Sequence, residues 1–127
     1  IQKFCDAIHY NKSEVEVWGD GKQTRELIYV DDQIEGLLMS LDYSGELLNI
    51  GSGIETSIRD LAEMIKELTG FGGEIVYNTD RFVGVKRKVL NIDMAKDEIG
   101  WTIDNKMHTL KEGLMKTINF YREEYLS

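Results

Sequence analysis

The 127-residue sequence contains no proline and a single cysteine, Cys5. One thiol excludes an internal disulfide bond and is typical of a reducing compartment, so we expect a cytoplasmic protein. No apolar run approaches the roughly 18 residues that a membrane-spanning helix requires, and no secretory signal pattern is present. We expect Cys5 to be a small buried residue of the first helix.

Basic residues are also scarce, because 15 lysines and arginines face 23 acidic residues and the net charge is −8. A surface with this excess of negative charge repels nucleic acids and anionic membranes. It does not exclude a phosphate ligand, since a few local cations can outweigh a distant acidic background that salt screens. We therefore expect no nucleic-acid or membrane partner, and we leave an anionic small molecule open.

Several catalytic patterns are missing. The sequence has no strand–GxGxxG–helix fingerprint for dinucleotides and no Tyr-x-x-x-Lys pair. Gly51-Ser52-Gly53 comes near that fingerprint, but Thr56 stands where a third glycine is needed, so we interpret the loop as a tight turn. Neither His9 nor His108 has a serine, cysteine or acid at triad-like spacing, and no His/Cys cluster has metal-ligand spacing. The sequence thus predicts no catalytic, cofactor-binding or metal-binding residue.

The apolar pattern alternates between helical and strand periods. Residues three and four positions apart predict helices over 1–11, 34–41, 58–69, 93–99 and 110–121. Short apolar runs predict strands over 15–18, 27–30, 47–50, 74–77 and 89–92. We expect Asp31 or Asp32 to cap the second helix, Ser57 the third and Thr109 the last. The alternation predicts an α/β fold, a small mixed sheet with flanking helices, as one domain over residues 1–127.

The segment from Val17 to Arg25 contains an aromatic residue, a Gly-Asp-Gly turn and a cation. These are the parts of a small site for an anionic ligand. The Trp18 indole is suited to stacking on a base or sugar, or it belongs to the core. The Arg25 guanidinium is suited to holding a phosphate through paired hydrogen bonds, or it forms a salt bridge at a sheet edge. The sequence leaves both alternatives open.

A second basic feature lies further along the chain. Arg81, Lys86, Arg87 and Lys88 are the densest group of cations in this acidic sequence. They suit a diphosphate, and they are equally typical of a solvated loop. Lys88 is followed by apolar Val89 and Leu90, which indicates that its aliphatic stem is partly packed.

Taken together, the motifs resemble those of a known family. They are Val17-Trp18-Gly19-Asp20-Gly21, Arg25-Glu26-Leu27-Ile28-Tyr29-Val30-Asp31-Asp32, Asn49-Ile50-Gly51-Ser52-Gly53, Arg87-Lys88-Val89-Leu90 and Ile99-Gly100-Trp101. Their order and spacing resemble the carboxyl-terminal part of the NAD(P)-dependent sugar-nucleotide epimerases/dehydratases, the extended short-chain dehydrogenases, and within them the GDP-L-fucose synthases. The resemblance implies the nucleotide-sugar-binding part of an NAD(P)-dependent epimerase/reductase that lacks its amino-terminal Rossmann half.

The resemblance also implies specific roles. Residues matching Lys3, Trp18, Arg25 and Lys88 contact the sugar nucleotide in the fucose synthases. The family's NADP loop and its catalytic residues lie upstream of the matching region. It follows that this chain binds no cofactor, whereas the intact enzyme uses NADP or NAD.

Two positions depart from the family pattern. Val83 and Asn91 stand where the family has acidic residues. These changes support a second hypothesis, a non-catalytic binding or scaffold module that has lost nucleotide-sugar binding. In the family, the segment around residues 31–53 extends the Rossmann sheet, so we expect apolar residues there to be exposed, namely Leu37, Leu38, Leu41 and Ile50. An exposed apolar patch drives association, and we therefore expect a homo-oligomer.

Overall fold

The structure is a computed structural model that describes residues 1–102 and 107–126. Its helices are α1 (Gln2–His9), α2 (Val30–Met39), α3 (Ile58–Thr69), α4 (Asp93–Ile99) and α5 (Leu110–Tyr125). Its strands are β1 (Glu14–Trp18), β2 (Thr24–Arg25), β3 (Thr56–Ser57), β4 (Glu74–Asn78) and β5 (Arg87–Lys88). The predicted α/β class with flanking helices is confirmed.

The strands form two small sheets. Strands β1 and β4 are parallel, from Glu14 opposite Glu74 to Trp18 opposite Asn78. The second sheet has the order β3-β2-β5, with β2 antiparallel to β3 and parallel to β5. In this register Arg25 lies opposite Lys88. Because successive strand residues point to opposite faces, this pair occupies the other face of the sheet from Thr24 and Arg87.

Two apolar clusters hold the fold. In the larger one, residues of α1, α3 and α5 pack against β1 and Phe71. Its buried members are Phe4, Ala7, Val15, Ala62, Ile65, Phe71 and Leu114. The smaller one consists of Ile92, Ala95 and Trp101. Trp101 is fully buried, and its indole N–H donates a 2.7 Å hydrogen bond to the Gly51 carbonyl. Cys5 is buried on α1, as predicted.

The predicted helix ends agree with the structure where capping is local. The Ser57 hydroxyl accepts from the Asp60 amide at the start of α3, and Gly70 ends that helix in the left-handed region at φ 72°. At the start of α5, Thr109 and Glu112 form a reciprocal capping box. These caps satisfy backbone groups that a helix end otherwise leaves unpaired.

Three strand predictions were wrong. Residues 27–30, 47–50 and 89–92 form no strand, and Val30 instead begins α2. The apolar side chains of Ile28, Leu48 and Ile50 pack against the smaller cluster, which satisfies the hydrophobic pattern without a sheet. The strands form next to these segments, in β2 and β5, where neighbouring backbones are available for pairing.

The predicted aspartate cap of α2 was also wrong. The residue before α2 is Tyr29, and no side chain caps the helix. Asp32 is buried instead, where its carboxylate accepts from the His108 backbone N–H at 3.1 Å and lies 2.9 Å from Nδ1 of that ring. Asp32 thus fastens α2 to the segment before α5.

Helix α2 presents an apolar surface to solvent. Leu37 and Leu38 are 52% and 55% exposed, and Leu41 beyond the helix end is also exposed, as predicted. Ile50 is only half-buried and packs against the smaller cluster, so its predicted exposure is partly wrong. Within residues 1–102 and 107–126, no helix is long and apolar enough to cross a membrane.

Candidate functional site

A tight turn at the end of β1 forms the base of the candidate site. Gly19 and Gly21 have φ of 82° and 76°, values that side-chain-bearing residues rarely adopt. The Gly19 amide donates to the Asn78 carbonyl at 2.7 Å, and the Gly21 carbonyl accepts from the Arg59 amide at 2.9 Å. The turn is therefore fixed to both β4 and α3, and the predicted Gly-Asp-Gly turn is confirmed.

Trp18 lies at the surface beside this turn. This residue is 49% exposed, whereas Trp101 is buried in the core. Of the two alternatives that the sequence left open for Trp18, a residue of the core is therefore excluded. The Trp18 Nε1 donates a 2.8 Å hydrogen bond to Oε1 of Glu16, and Oε2 of Glu16 accepts from Asn78 at the same distance. Both hydrogen bonds lower the pKa of Glu16, and the one from Asn78 has the larger effect. An ionised Glu16 thus fixes the orientation of an exposed indole.

Two cations flank the Trp18 ring. Lys3 Nζ lies 5.4 Å from the ring centroid and donates to the Glu16 carbonyl at 2.8 Å. The Arg81 guanidinium carbon lies 5.5 Å from the same centroid. Both distances permit cation–π attraction. The fold therefore places Lys3 beside Trp18, two of the residues predicted to bind the ligand, and adds Arg81.

Arg25 and Lys88 form the second part of the site. The Arg25 guanidinium donates to the Thr24 carbonyl at 2.6 Å and to the Val83 carbonyl at 3.4 Å. Lys88 is exposed, and in the described part of the chain its side chain has no polar partner. Neither cation of this pair contacts a carboxylate of the described residues, so the predicted alternative of a salt bridge at Arg25 is not realised there.

The opposite face of the same sheet is neutralised internally. Nε of Arg87 lies 2.9 Å from Oε2 of Glu55, and Oε1 of Glu55 accepts from the Thr24 hydroxyl. Both contacts lower the pKa of Glu55, that with Thr24 more than that with Arg87. Within this sheet, the cations that lack a carboxylate partner among the described residues are therefore Arg25 and Lys88, which share one face.

The basic group predicted over residues 81–88 is divided by the fold. Arg81 lies at Trp18, Arg87 is paired, and Lys88 lies opposite Arg25. Lys86 lines a cavity of about 440 Å³ between the Gly19 turn and the loop of residues 79–86. The wall of this cavity includes Gln23, whose buried Oε1 has no hydrogen-bond partner among the residues that the structure describes. Nothing in the sequence distinguishes Gln23 from an ordinary surface residue.

The Gly51-Ser52-Gly53 loop does not fit a dinucleotide phosphate. Its Ser52 amide already donates a 2.7 Å hydrogen bond to Oε1 of Glu26. A carboxylate in this place repels a phosphate and occupies the donor that the phosphate requires. The interpretation of the loop as a turn agrees with the structure, where the Ser52 hydroxyl accepts from the Ile54 amide at 3.1 Å.

Comparison with protein families and curated proteins identifies relatives of this chain. Residues 1–51 match the model described as the NAD dependent epimerase/dehydratase family. The chain is 39% identical over 129 residues to a probable GDP-L-fucose synthase 1 of Oryza sativa subsp. japonica, covering 100% of this chain and 38% of the relative. It is 38% identical over 122 residues to a putative UDP-glucose 4-epimerase of Methanocaldococcus jannaschii, covering 96% and 38%.

Solved structures with the same fold give a consistent result. A UDP-glucose 4-epimerase of Thermotoga maritima, solved with UDP-glucose, has a TM-score of 0.80 and 32% identity, covering 94% of this chain and 38% of that one. A GDP-L-fucose synthetase of Naegleria fowleri has a TM-score of 0.84 at 23% identity, which establishes the shared fold alone. The chain thus spans under two-fifths of the length of these proteins.

Proposed function

We propose, from the premise that this chain belongs to the NAD dependent epimerase/dehydratase family, that it is the nucleotide-sugar-binding part of a sugar-nucleotide epimerase/reductase such as a GDP-L-fucose synthase. Its ligand is a nucleoside diphosphate sugar, bound by Lys3, Trp18, Arg25 and Lys88. The remaining length of the relatives supplies NAD or NADP and the catalytic groups. This chain contributes the binding energy that holds the sugar in place.

The pair of Arg25 and Lys88 carries this proposal. In a chain with net charge −8, two cations lie opposite each other on adjacent strands without a carboxylate partner among the described residues. Such a pair is suited to a diphosphate, because a guanidinium can form two parallel hydrogen bonds and an ammonium adds a point charge. Arg87 and Lys111, by contrast, are exposed cations whose charge is paired with a glutamate.

The Trp18 cluster supports the same ligand. An exposed indole fixed by Glu16 offers a flat surface for a base or a sugar ring. The loop that places Arg81 over this ring also presents the Val83 carbonyl to Arg25. One loop therefore connects the aromatic part of the site with its cationic part, as a ligand with a ring and a diphosphate requires.

Calorimetric titration of the 127-residue chain with UDP-glucose and GDP-mannose tests the proposal, with NADPH as the control ligand. We expect one sugar nucleotide to bind and NADPH not to bind. Arg25→Ala and Lys88→Ala should weaken binding roughly 10- to 150-fold, since a hydrogen bond to a charged group contributes about 1.5–3 kcal/mol. The matched control is Lys96→Ala, which removes an exposed lysine of α4. Equal effects of Lys96→Ala and Lys88→Ala would contradict the proposal.

A second candidate function is a scaffold module without nucleotide-sugar binding. It is favoured by Val83 and Asn91, which replace acidic residues of the family pattern. The Val83 side chain fills the space that a Cβ at Gly19 would require, and Oδ1 of Asn91 accepts from the Asp93 amide at 2.8 Å. Both residues thus have structural contacts of their own. Absence of any binding that depends on Arg25 would favour this candidate.

A further inference from the structure

Glu26 lies next to Arg25 in the sequence, yet its carboxylate neutralises no cation among the described residues. Both oxygens accept hydrogen bonds from the backbone instead. Oε1 accepts from the Ser52 amide and Oε2 from the Leu90 amide, each at 2.7 Å. Nothing local in the sequence marks this residue, because its partners lie 26 and 64 positions away.

These hydrogen bonds join three segments of the chain. The backbone amide of Glu26 donates to the Lys88 carbonyl at 3.2 Å, so the same residue contacts the strand and the segment that leaves it. On the other side, Gly51 has no room for a side chain because Oε1 of Glu26 occupies the position. The Gly51 carbonyl is itself held by buried Trp101. A continuous path of contacts therefore leads from the smaller core cluster through Glu26 to β5.

Strand β5 is a short edge strand, because it consists only of Arg87 and Lys88 and, among the described residues, pairs only with β2. Leu90 lies two residues beyond Lys88, and its backbone amide donates a hydrogen bond to Glu26. This carboxylate thus holds the chain where it leaves β5, and the Asn49 side-chain amide holds it one residue further on by donating to the Asn91 carbonyl at 3.0 Å. The direction in which the chain leaves β5 determines where the exposed Lys88 side chain stands relative to Arg25.

We infer that Glu26 is a positioning residue for the nucleotide-sugar site, which holds Lys88 beside Arg25 by bridging the Ser52 and Leu90 amides. This inference rests on the proposed function. Only a carboxylate on a side chain of this length can accept from both amides. Glutamine has one acceptor oxygen, and its NH₂ group would face the second amide, whereas aspartate is one methylene too short to span both donors. Glu26 has no place at the reacting atoms and acts through Lys88.

The first experiment is calorimetric titration of the 127-residue chain and its variants with UDP-glucose and GDP-mannose. We expect Glu26→Gln and Glu26→Asp each to weaken binding about tenfold. Glu98→Gln, which removes an exposed carboxylate of α4, should leave binding unchanged. Because aspartate retains the charge, wild-type affinity in Glu26→Asp would overturn the bridging role.

A coupling measurement separates positioning from a general loss of structure. In the Lys88→Met background, Glu26→Gln should change affinity by less than about twofold, because the cation through which it acts is gone. A full tenfold loss in both backgrounds would overturn the inference. Emission from the buried Trp101, measured in a Trp18→Phe background, monitors whether the variants remain folded.

Amide-hydrogen exchange distinguishes failure of the inference from failure of the proposed function. If the parent chain binds neither sugar nucleotide, the proposed function is contradicted, and exchange at Ser52 and Leu90 still tests the bridge. Faster exchange in Glu26→Gln, confined to residues 51–53 and 88–91, supports the bridge that would position Lys88. Unchanged exchange at both amides overturns it.

Discussion

The indole Nε1 of Trp18 donates a 2.8 Å hydrogen bond to Oε1 of Glu16, two residues earlier on the same strand. Strand geometry places residues i and i+2 on one face, so this contact needs no long-range organisation. It holds an exposed aromatic ring in one orientation at the edge of the candidate site.

Removal of the Trp18 ring should weaken nucleotide-sugar binding. Stacking of a base on an aromatic side chain contributes about 1–3 kcal/mol, so Trp18→Ala should raise the dissociation constant roughly 5- to 150-fold. Calorimetry with the sugar nucleotide that binds the parent chain measures this change. Tyr10→Ala is the matched control, since it removes an exposed aromatic residue that precedes β1 in the sequence. An equal loss in both variants would contradict a role of Trp18 in binding.

Acid should release the Trp18 indole. The pKa of Glu16 is lowered from 4.5 by hydrogen bonds from Asn78 and Trp18, so the folded protein keeps this carboxylate ionised below pH 4.5. Its contribution to stability is complete above the unfolded-state value of 4.5 and disappears as pH falls through the lower native pKa. Unfolding of Glu16→Gln and of the parent should therefore differ at pH 7 and converge in acid. A difference that grows as pH falls would contradict this assignment.

A core substitution should destabilise the fold strongly. Ile118 of α5 is fully buried, so Ile118→Ala should reduce the free energy of unfolding by about 2–5 kcal/mol. Met115 on the same helix is exposed, and Met115→Ala should change it by no more than about 0.5 kcal/mol. Urea unfolding followed by circular dichroism measures both. Similar values for the two variants would show that α5 does not pack as described.

The apolar surface of α2 should drive self-association of the isolated chain. Leu37 and Leu38 are both more than half exposed, and burying them against another copy removes apolar area from water. We expect sedimentation velocity to show oligomers that the double change Leu37→Glu and Leu38→Glu shifts toward monomer. Glu35→Gln on the same helix is the control. A parent chain that is monomeric at every concentration would contradict the prediction.

Local signals in the sequence predicted much of the helical structure. The caps at Ser57 and Thr109 depend on neighbours within a few residues. The strands were harder, since β2 and β5 are two residues long and exist because the fold brings them together. An apolar run such as 27–30 satisfies its pattern equally well by packing on Trp101, which the sequence does not reveal.

The same distinction applies to the site. Trp18 and Arg25 were identified because they flank a turn that is visible in the sequence. Arg81 is visible in the sequence only as a member of a basic group that the fold divides, and nothing local marks Glu26, because both acquire their positions from distant segments. The assignment of Lys3, Trp18, Arg25 and Lys88 to substrate binding remains a prediction, although the fold brings these residues together in two pairs.

The Glu26 bridge has a consequence for the order in which the chain folds. Its partner Leu90 lies 64 positions along the chain, the Trp101–Gly51 hydrogen bond spans 50, and Asn78 reaches Glu16 across 62. Contacts so distant in sequence close large loops, which slows folding. The smaller core cluster and the Arg25–Lys88 pair should consequently form late, after helices such as α3 and α5. During that interval a nascent chain would expose the leucines of α2 to other chains. Aggregation would then compete with completion of the site.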